Sequence, residues 1–201
     1  MKKNIITNIK TAVVLALVCS VLLGMARFET QCEQLRDNVL RLHIIANSDS
    51  DFDQNLKLEV RNAILSETQS LFEQATDLDF AIAAAHKAVP DITNAAKEVI
   101  AAAGVNYDVS VEIGDAYFDT REYETFTLPA GTYKAVNVKI GKAQGKNWWC
   151  VMFPALCIGT GSARLSDVSG SSAEIAENSD KYIMRFKTVE IYEQIKQYLF
   201  K

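Results

Sequence analysis

From Thr11 to Ala26 the chain runs TAVVLALVCSVLLGMA without a charge, and the only charges before it are Lys2, Lys3 and Lys10. The first acid is Glu29. Basic residues followed by an apolar run are the layout of an export signal. The run is shorter than the ~20 residues of an ordinary spanning helix, although Ile5, Ile6 and Ile9 extend it. Gly24-Met25-Ala26 has the small-x-small pattern of a signal-peptidase site, so cleavage after Ala26 is the expected fate, with a retained anchor as the alternative. Cys19 does not make a lipoprotein site, because Val18 before it is too large for that processing.

Without residues 1–26, 175 residues remain, enough for one domain with its own core. Losing three lysines and no acids takes the formal charge from −4 to −7. Such a surface repels phosphate backbones and argues against a nucleic-acid partner. The body keeps Cys32, Cys150 and Cys157, an odd number in a chain directed to a compartment where disulfides persist. Cys150 and Cys157 are the natural pair, with Pro154 turning the chain between them; the alternative is two small buried hydrophobes. Cys32 is left unpaired or joins another chain.

Residues 27–35 read as a polar stalk, and 36–201 as a single α/β domain. NVLRLHIIAN alternates and is rich in Val, Leu and Ile, which predicts a strand ending at Asn47. Leu56, Val60, Ile64, Leu71 and Phe72 recur at helical spacing from Asp51 to about Gln74. Asp77 to Ala88 and PDITNAAKEVIAAAG predict two helical pieces that break near Val89, the second opened by Pro90 and closed by Gly104. YDVSVEI and TYKAVNVKIG are strands, and NWWCVMF is expected as a hairpin partner. The segment 159–180, rich in Ser, Gly and acids, reads as a mobile loop with a little helix. KYIMRFK reads as a last strand, followed by a closing helix capped by Thr188. The expected architecture is a two-layer α/β sandwich, with a mixed sheet of four or five strands packed against helices.

The acid-rich stretch IANSDSDFDQ allows several chemistries. Asp49, Asp51, Asp53 and Asn55 alternate as in a calcium loop, but the sixth position is Gln54 instead of Gly and the twelfth is Val60 instead of Glu. A helix start accounts for the acids better, with Ser48 or Ser50 as N-cap and Asp51 and Asp53 complementing the helix dipole. Capping needs one side chain, however, and this segment also brings His43, Asn47, Ser48 and Asp49 to a strand-to-helix corner, where sites often form. His43 is a candidate general base or a structural strand residue. Cys150 with His43 is a candidate thiol pair, although a disulfide at Cys150 would block it. No GxSxG elbow, phosphate-binding glycine loop, HExxH or clustered Cys/His set occurs, and no cofactor is expected. Trp148 and Trp149, adjacent on a strand, must point to opposite faces.

Taken together, the leader, RLHIIANSDSDFDQNLKLEVRNAIL and, farther on, GKNWWCVMFPALC resemble the stage II sporulation protein R family of endospore-forming bacteria. The likeness covers most of residues 36–158. The resemblance implies a signalling protein, not a catalyst. Such a protein is made in the forespore and exported into the space between the septal membranes. There it activates a membrane-embedded aspartic protease that cleaves the pro-sequence of sigma E. By position, Asn47, Ser48 and Asp49 match one family signature; Trp148, Trp149, Cys150 and Cys157 match the other. The first three and the two tryptophans are then expected at the receptor face, with the cysteines as a stabilising disulfide. Membrane contact is expected only through the leader or the receptor. Two other readings of the residues are an exported thiol hydrolase using Cys150 with His43 and a cell-wall or peptide-binding module.

Overall fold

A computed structural model describes residues 2–156, 165 and 169–199. Helix α1 runs unbroken from Lys2 to Arg36. Strand β1 is Leu40–Ile45, helix α2 Asp51–Glu73 and helix α3 Leu78–Ala102. Strands β2 (Val109–Phe118), β3 (Arg121–Glu122), β4 (Thr127–Leu128), β5 (Gly131–Ile140) and β6 (Asn147–Phe153) follow. A short helix α4 (Ala173–Glu177) precedes helix α5 (Ile183–Leu199).

The main sheet has the order β2-β5-β1-β6. β1 pairs parallel to β5 and antiparallel to β6, so the hairpin expected between β5 and β6 is corrected: β1 lies between them. Alternation explains the two layers of core. Leu40, Leu42 and Ile44 of β1 join Val136, Val138 and Ile140 of β5 beneath α2 and α3. That side is the expected sandwich of a mixed sheet on helices. On the other face Tyr133, Ala135 and Val151 meet Phe28, Cys32 and Leu35 from the end of α1, together with Ala173, Ile175, Phe186 and Val189.

Residues 27–35 are therefore not a stalk. Only their charged and polar members face water, while Phe28, Cys32 and Leu35, spaced three and four apart, form one buried helical stripe. Arg36 locks this stripe to the domain. Its guanidinium donates to the Ala130 carbonyl at 3.0 Å and to Glu29, and lies 3.9 Å from Glu193 of α5. Gly131, at φ +143°, makes room for it: a Cβ there would stand 2.5 Å from Arg36 Cδ.

Two further expectations are corrected. α3 continues through Pro90, although proline removes one backbone donor. Ala81, Ala84, Ala85, Ala88, Ile92, Ala96 and Ile100 keep one buried face across the junction, and Thr93 donates its hydroxyl to the Val89 carbonyl at 2.7 Å. KYIMRFK is not a strand: it forms the end of a 3-10 turn and the start of α5, because Phe186, Val189 and Glu193 share a buried helical face. Thr188 lies inside that helix and donates to the Met184 carbonyl, so it caps nothing. Residues 159–164 and 166–168 of the predicted 159–180 loop lie outside the described residues, and its described end, from Ser169, is short helix.

Truncating Phe28 tests the docked end of α1. Phe28→Ala should lower the stability of the full chain by about 3–5 kcal/mol in urea denaturation, the usual range for a buried aromatic. A change within about 0.5 kcal/mol, typical of an exposed site, would restore the stalk.

Candidate functional site

The β1–α2 corner is built from its own polar side chains. Ser50 is the N-cap of α2, accepting from the Asp53 amide at 3.2 Å. Ser48 accepts from the Ser50 amide and donates to Asp53 Oδ2, which also receives Asn47 Nδ2 at 2.9 Å. Asp53 is buried at 3% exposure. Burial alone pushes its carboxyl up, but hydrogen bonds from Ser48, Asn47, Tyr107 and Ser50 outweigh this and hold it below the ordinary carboxylate range.

The same corner grips the β5–β6 connection. Asn47 Oδ1 accepts from the Lys142 amide at 3.0 Å, and Asp49 Oδ1 accepts from the Lys146 amide at 2.7 Å. The Gly145 amide donates to the Ala46 carbonyl at 2.9 Å. Contact is so close that a Cβ on Gly145 would lie 2.2 Å from the Ser48 carbonyl oxygen. Lys57, buried on α2, donates to Gln54 Oε1 at 2.7 Å and to the Lys146 carbonyl at 2.9 Å. Burial lowers its pKa, partly offset by the charge of Asp49.

Asn47, Ser48 and Asp49 are thus brought against the start of β6, where Ile45 stands opposite Asn147, Ile44 opposite Trp148 and His43 opposite Trp149. The tryptophans do take opposite faces. Arg61 of α2 covers Trp148 at 4.3 Å, and Arg121 covers Trp149 at 3.7 Å. Trp149 also stacks on His43, with ring centres 5.8 Å apart, and Phe118 meets both rings edge-on. Below them Arg41, fully buried, lies 3.9 Å over the Phe118 ring and donates to the Tyr123 hydroxyl at 2.7 Å. His43 is held between Asn137 at 3.1 Å and Asn147 at 3.0 Å. Around Trp149, two buried donors, its own indole Nε1 and Arg121 Nε, have no acceptor among the described residues.

Cys150 and His43 do not assemble as a thiol pair. Directly opposed residues share a face: Cys150 stands opposite Leu42 in the α2–α3 core, whereas His43 faces the other way with Trp149. Cys150 is 3% exposed, and among the described residues the free thiols are Cys19 and Cys32. Cys157 lies outside the described residues. Among these, no group of three or more His, Cys, Asp or Glu is placed to hold a metal ion. Sequence reasoning missed Arg121, Arg41, Tyr107 and Gly145, which lie far in sequence from the motifs they complete.

A family model described as Stage II sporulation protein R matches residues 36–162. Stage II sporulation protein R of Bacillus subtilis (strain 168) is 33% identical over 201 residues, covering 97% of this chain and 85% of that protein. No solved structure matches the chain.

Asp53 gives the corner a pH signature. Because its folded pKa lies below the ordinary value of 3.8, its contribution is complete above that value and is lost as pH falls through the folded pKa. Stability measured by urea denaturation should therefore decline as pH drops below about 4. Asp53→Asn should be less stable at neutral pH and show a shallower acid decline; an unchanged slope would mean that the carboxylate is not the group stabilised here.

Proposed function

The chain belongs to the stage II sporulation protein R family and has a role in sporulation, and from that premise we propose that it is an exported signalling protein that activates a membrane-embedded aspartic protease by contact. In this reading it leaves the forespore for the space between the septal membranes. The protease it meets there then removes the pro-sequence of sigma E in the mother cell. The exposed apolar part of α1 supports export or anchoring. The two segments that carry the family likeness share one rim of the sheet, which supports a single contact surface.

The observation that carries the reading is the pair Arg121 and Trp149. A rigid aromatic beneath a guanidinium is the composition of an interface hot spot. Buried donors without acceptors also need a partner to satisfy them. An acceptor on the protease that drew Arg121 aside would engage the guanidinium and uncover the indole N–H together. Asn47, Ser48 and Asp49 act behind this contact by holding the 141–146 connection, with Asp49 the exposed member of the three. A Cys150–Cys157 disulfide would tie the end of β6 to the chain that follows it. To activate, the domain must bind the active form of the protease more tightly than the inactive form, and a tenfold preference needs only about 1.4 kcal/mol.

Co-expression of the chain with the protease and its sigma-factor precursor in a non-sporulating host tests this. Wild type should yield cleaved precursor, and Arg121→Ala, at a partly exposed position, should reduce cleavage about tenfold or more with export and melting temperature unchanged. Trp149→Ala should do the same with some loss of stability. The Cys150→Ser, His43→Ala double variant should still support cleavage if it remains folded by its melting curve. Undiminished cleavage in both the Arg121 and Trp149 variants would remove this contact surface.

A further inference from the structure

Helix α5 has two apolar faces. Phe186 and Val189, with Glu193, turn into the domain. Met184, Ile191, Ile195, Tyr198 and Leu199 are 80%, 53%, 53%, 88% and 66% exposed. At 3.6 residues per turn these five fall on one stripe, on the side of the helix opposite the packed face. The hydroxyl of Thr188, within the same stripe, is turned back onto the Met184 carbonyl at 2.8 Å. Arg185 and Lys196 border the stripe on one side and Lys187 on the other, positions from which long cationic side chains reach a water boundary.

The position of α5 identifies what covers this stripe. Every side chain of α1 from residue 8 to 27 is exposed, and this stretch contains an apolar window of mean hydropathy 2.2. From Asn8 to Met25 the helix is about 27 Å long, close to the ~30 Å hydrocarbon core of a bilayer. It then continues without a break into the domain core through Phe28, Cys32 and Leu35. The domain is therefore joined stiffly to the end of that apolar stretch. α5 packs beside this junction: Val21, Gly24 and Met25 of α1 and Thr188, Val189 and Tyr192 of α5 line a shared cleft of about 740 Å³. The Arg36–Glu29 pair, with Glu193 of α5 at 3.9 Å, holds the two helices in register just outside it.

We propose that α5 is an interfacial membrane helix, lying in the boundary of the bilayer that α1 enters, with Met184, Ile191, Ile195, Tyr198 and Leu199 among the lipid chains. Thr188, within the stripe, lines the cleft shared with Val21, Gly24 and Met25 of the exposed part of α1. Tyr192, beside Arg185 at the margin of the stripe, is suited to the headgroup level, where tyrosine concentrates. Apolar residues on one face with cationic residues at its margins are the composition of a helix that lies on a membrane without crossing it. This inference does not depend on protease activation. It gives the chain a second membrane contact, one that would persist if the segment before residue 27 were removed.

The test uses the full chain reconstituted in phosphatidylcholine vesicles with a minor fraction of phosphatidylglycerol and a phospholipid bearing a diazirine in its acyl chain. After irradiation, tryptic peptides are searched for lipid adducts by mass spectrometry. Adducts are expected on α1 and on the peptide Thr188–Lys196. The double substitution Ile191→Glu, Ile195→Glu, at exposed positions, should reduce the latter about tenfold or more while leaving α1 labelling unchanged as an internal control. Adducts confined to α1 in the wild type, or equal labelling of the C-terminal peptide in the variant, would overturn the proposal. Adducts confined to α1, together with links between copies through this region after separate treatment with an amine-reactive bifunctional cross-linker at Lys187 and Lys196, would also overturn it, by assigning the stripe to self-association.

Discussion

Strand β1 is paired along both edges and covered on both faces, and every other layer takes its place from it. Its even-numbered residues, Leu40, Leu42 and Ile44, face the α2–α3 core. Its odd-numbered residues supply Arg41 and His43 to the opposite side. A guanidinium without solvent is costly unless it is partnered. Arg41 offsets part of that cost with the Phe118 and Tyr133 rings and the Tyr123 hydroxyl, drawing β2, β5 and the β3–β4 ribbon around one side chain, while its Nε and Nη1 have no acceptor among the described residues. These partners lie 77 to 92 residues downstream of Arg41. The central strand is therefore completed by some of the most distant pairings in the chain, which are the slow contacts of folding.

The elements that could be read from sequence are those whose periodicity is local. β1, β2, β5 and β6 alternate, and α2 repeats Leu56, Val60 and Ile64 at helical spacing, so their type and approximate extent follow from short windows. The misread elements depended on what lay across from them. Pro90 breaks a helix only if nothing else holds it, and the alanine face against α2 does hold it. KYIMRFK contains enough Tyr, Ile and Phe to suit a strand, and only its packing against α1 selects the helix. Residues 27–35 looked like a stalk because Phe28, Cys32 and Leu35 are diluted by polar neighbours.

The candidate site was legible in the same partial way. Asn47, Ser48, Asp49, Trp148 and Trp149 were visible as an unusual concentration of side chains, and the structure brings their segments to one rim. The direction of the polar groups was not legible. Asn47 and Asp49 direct oxygens to the amides of Lys142 and Lys146, and Ser48 serves the buried Asp53. An acid-rich loop that resembles a cation site is thus largely consumed in holding a neighbouring loop. Arg121, the residue that lies on Trp149, could not be associated with it from sequence, since the sheet alone determines their separation.

Cys32 has a further chemical consequence. Burial, with Glu29 as a lesser contributor, pushes its thiol up to about 12. Since the thiolate is the reactive form, the side chain is inert toward exchange while the end of α1 stays docked. A free thiol that stays reactive is ordinarily a hazard for covalent dimers and bridge scrambling. Here it becomes reactive only when the helix lifts away from the sheet, so alkylation at Cys32 would serve as a chemical clock for opening of the domain at the seam between α1 and the sheet.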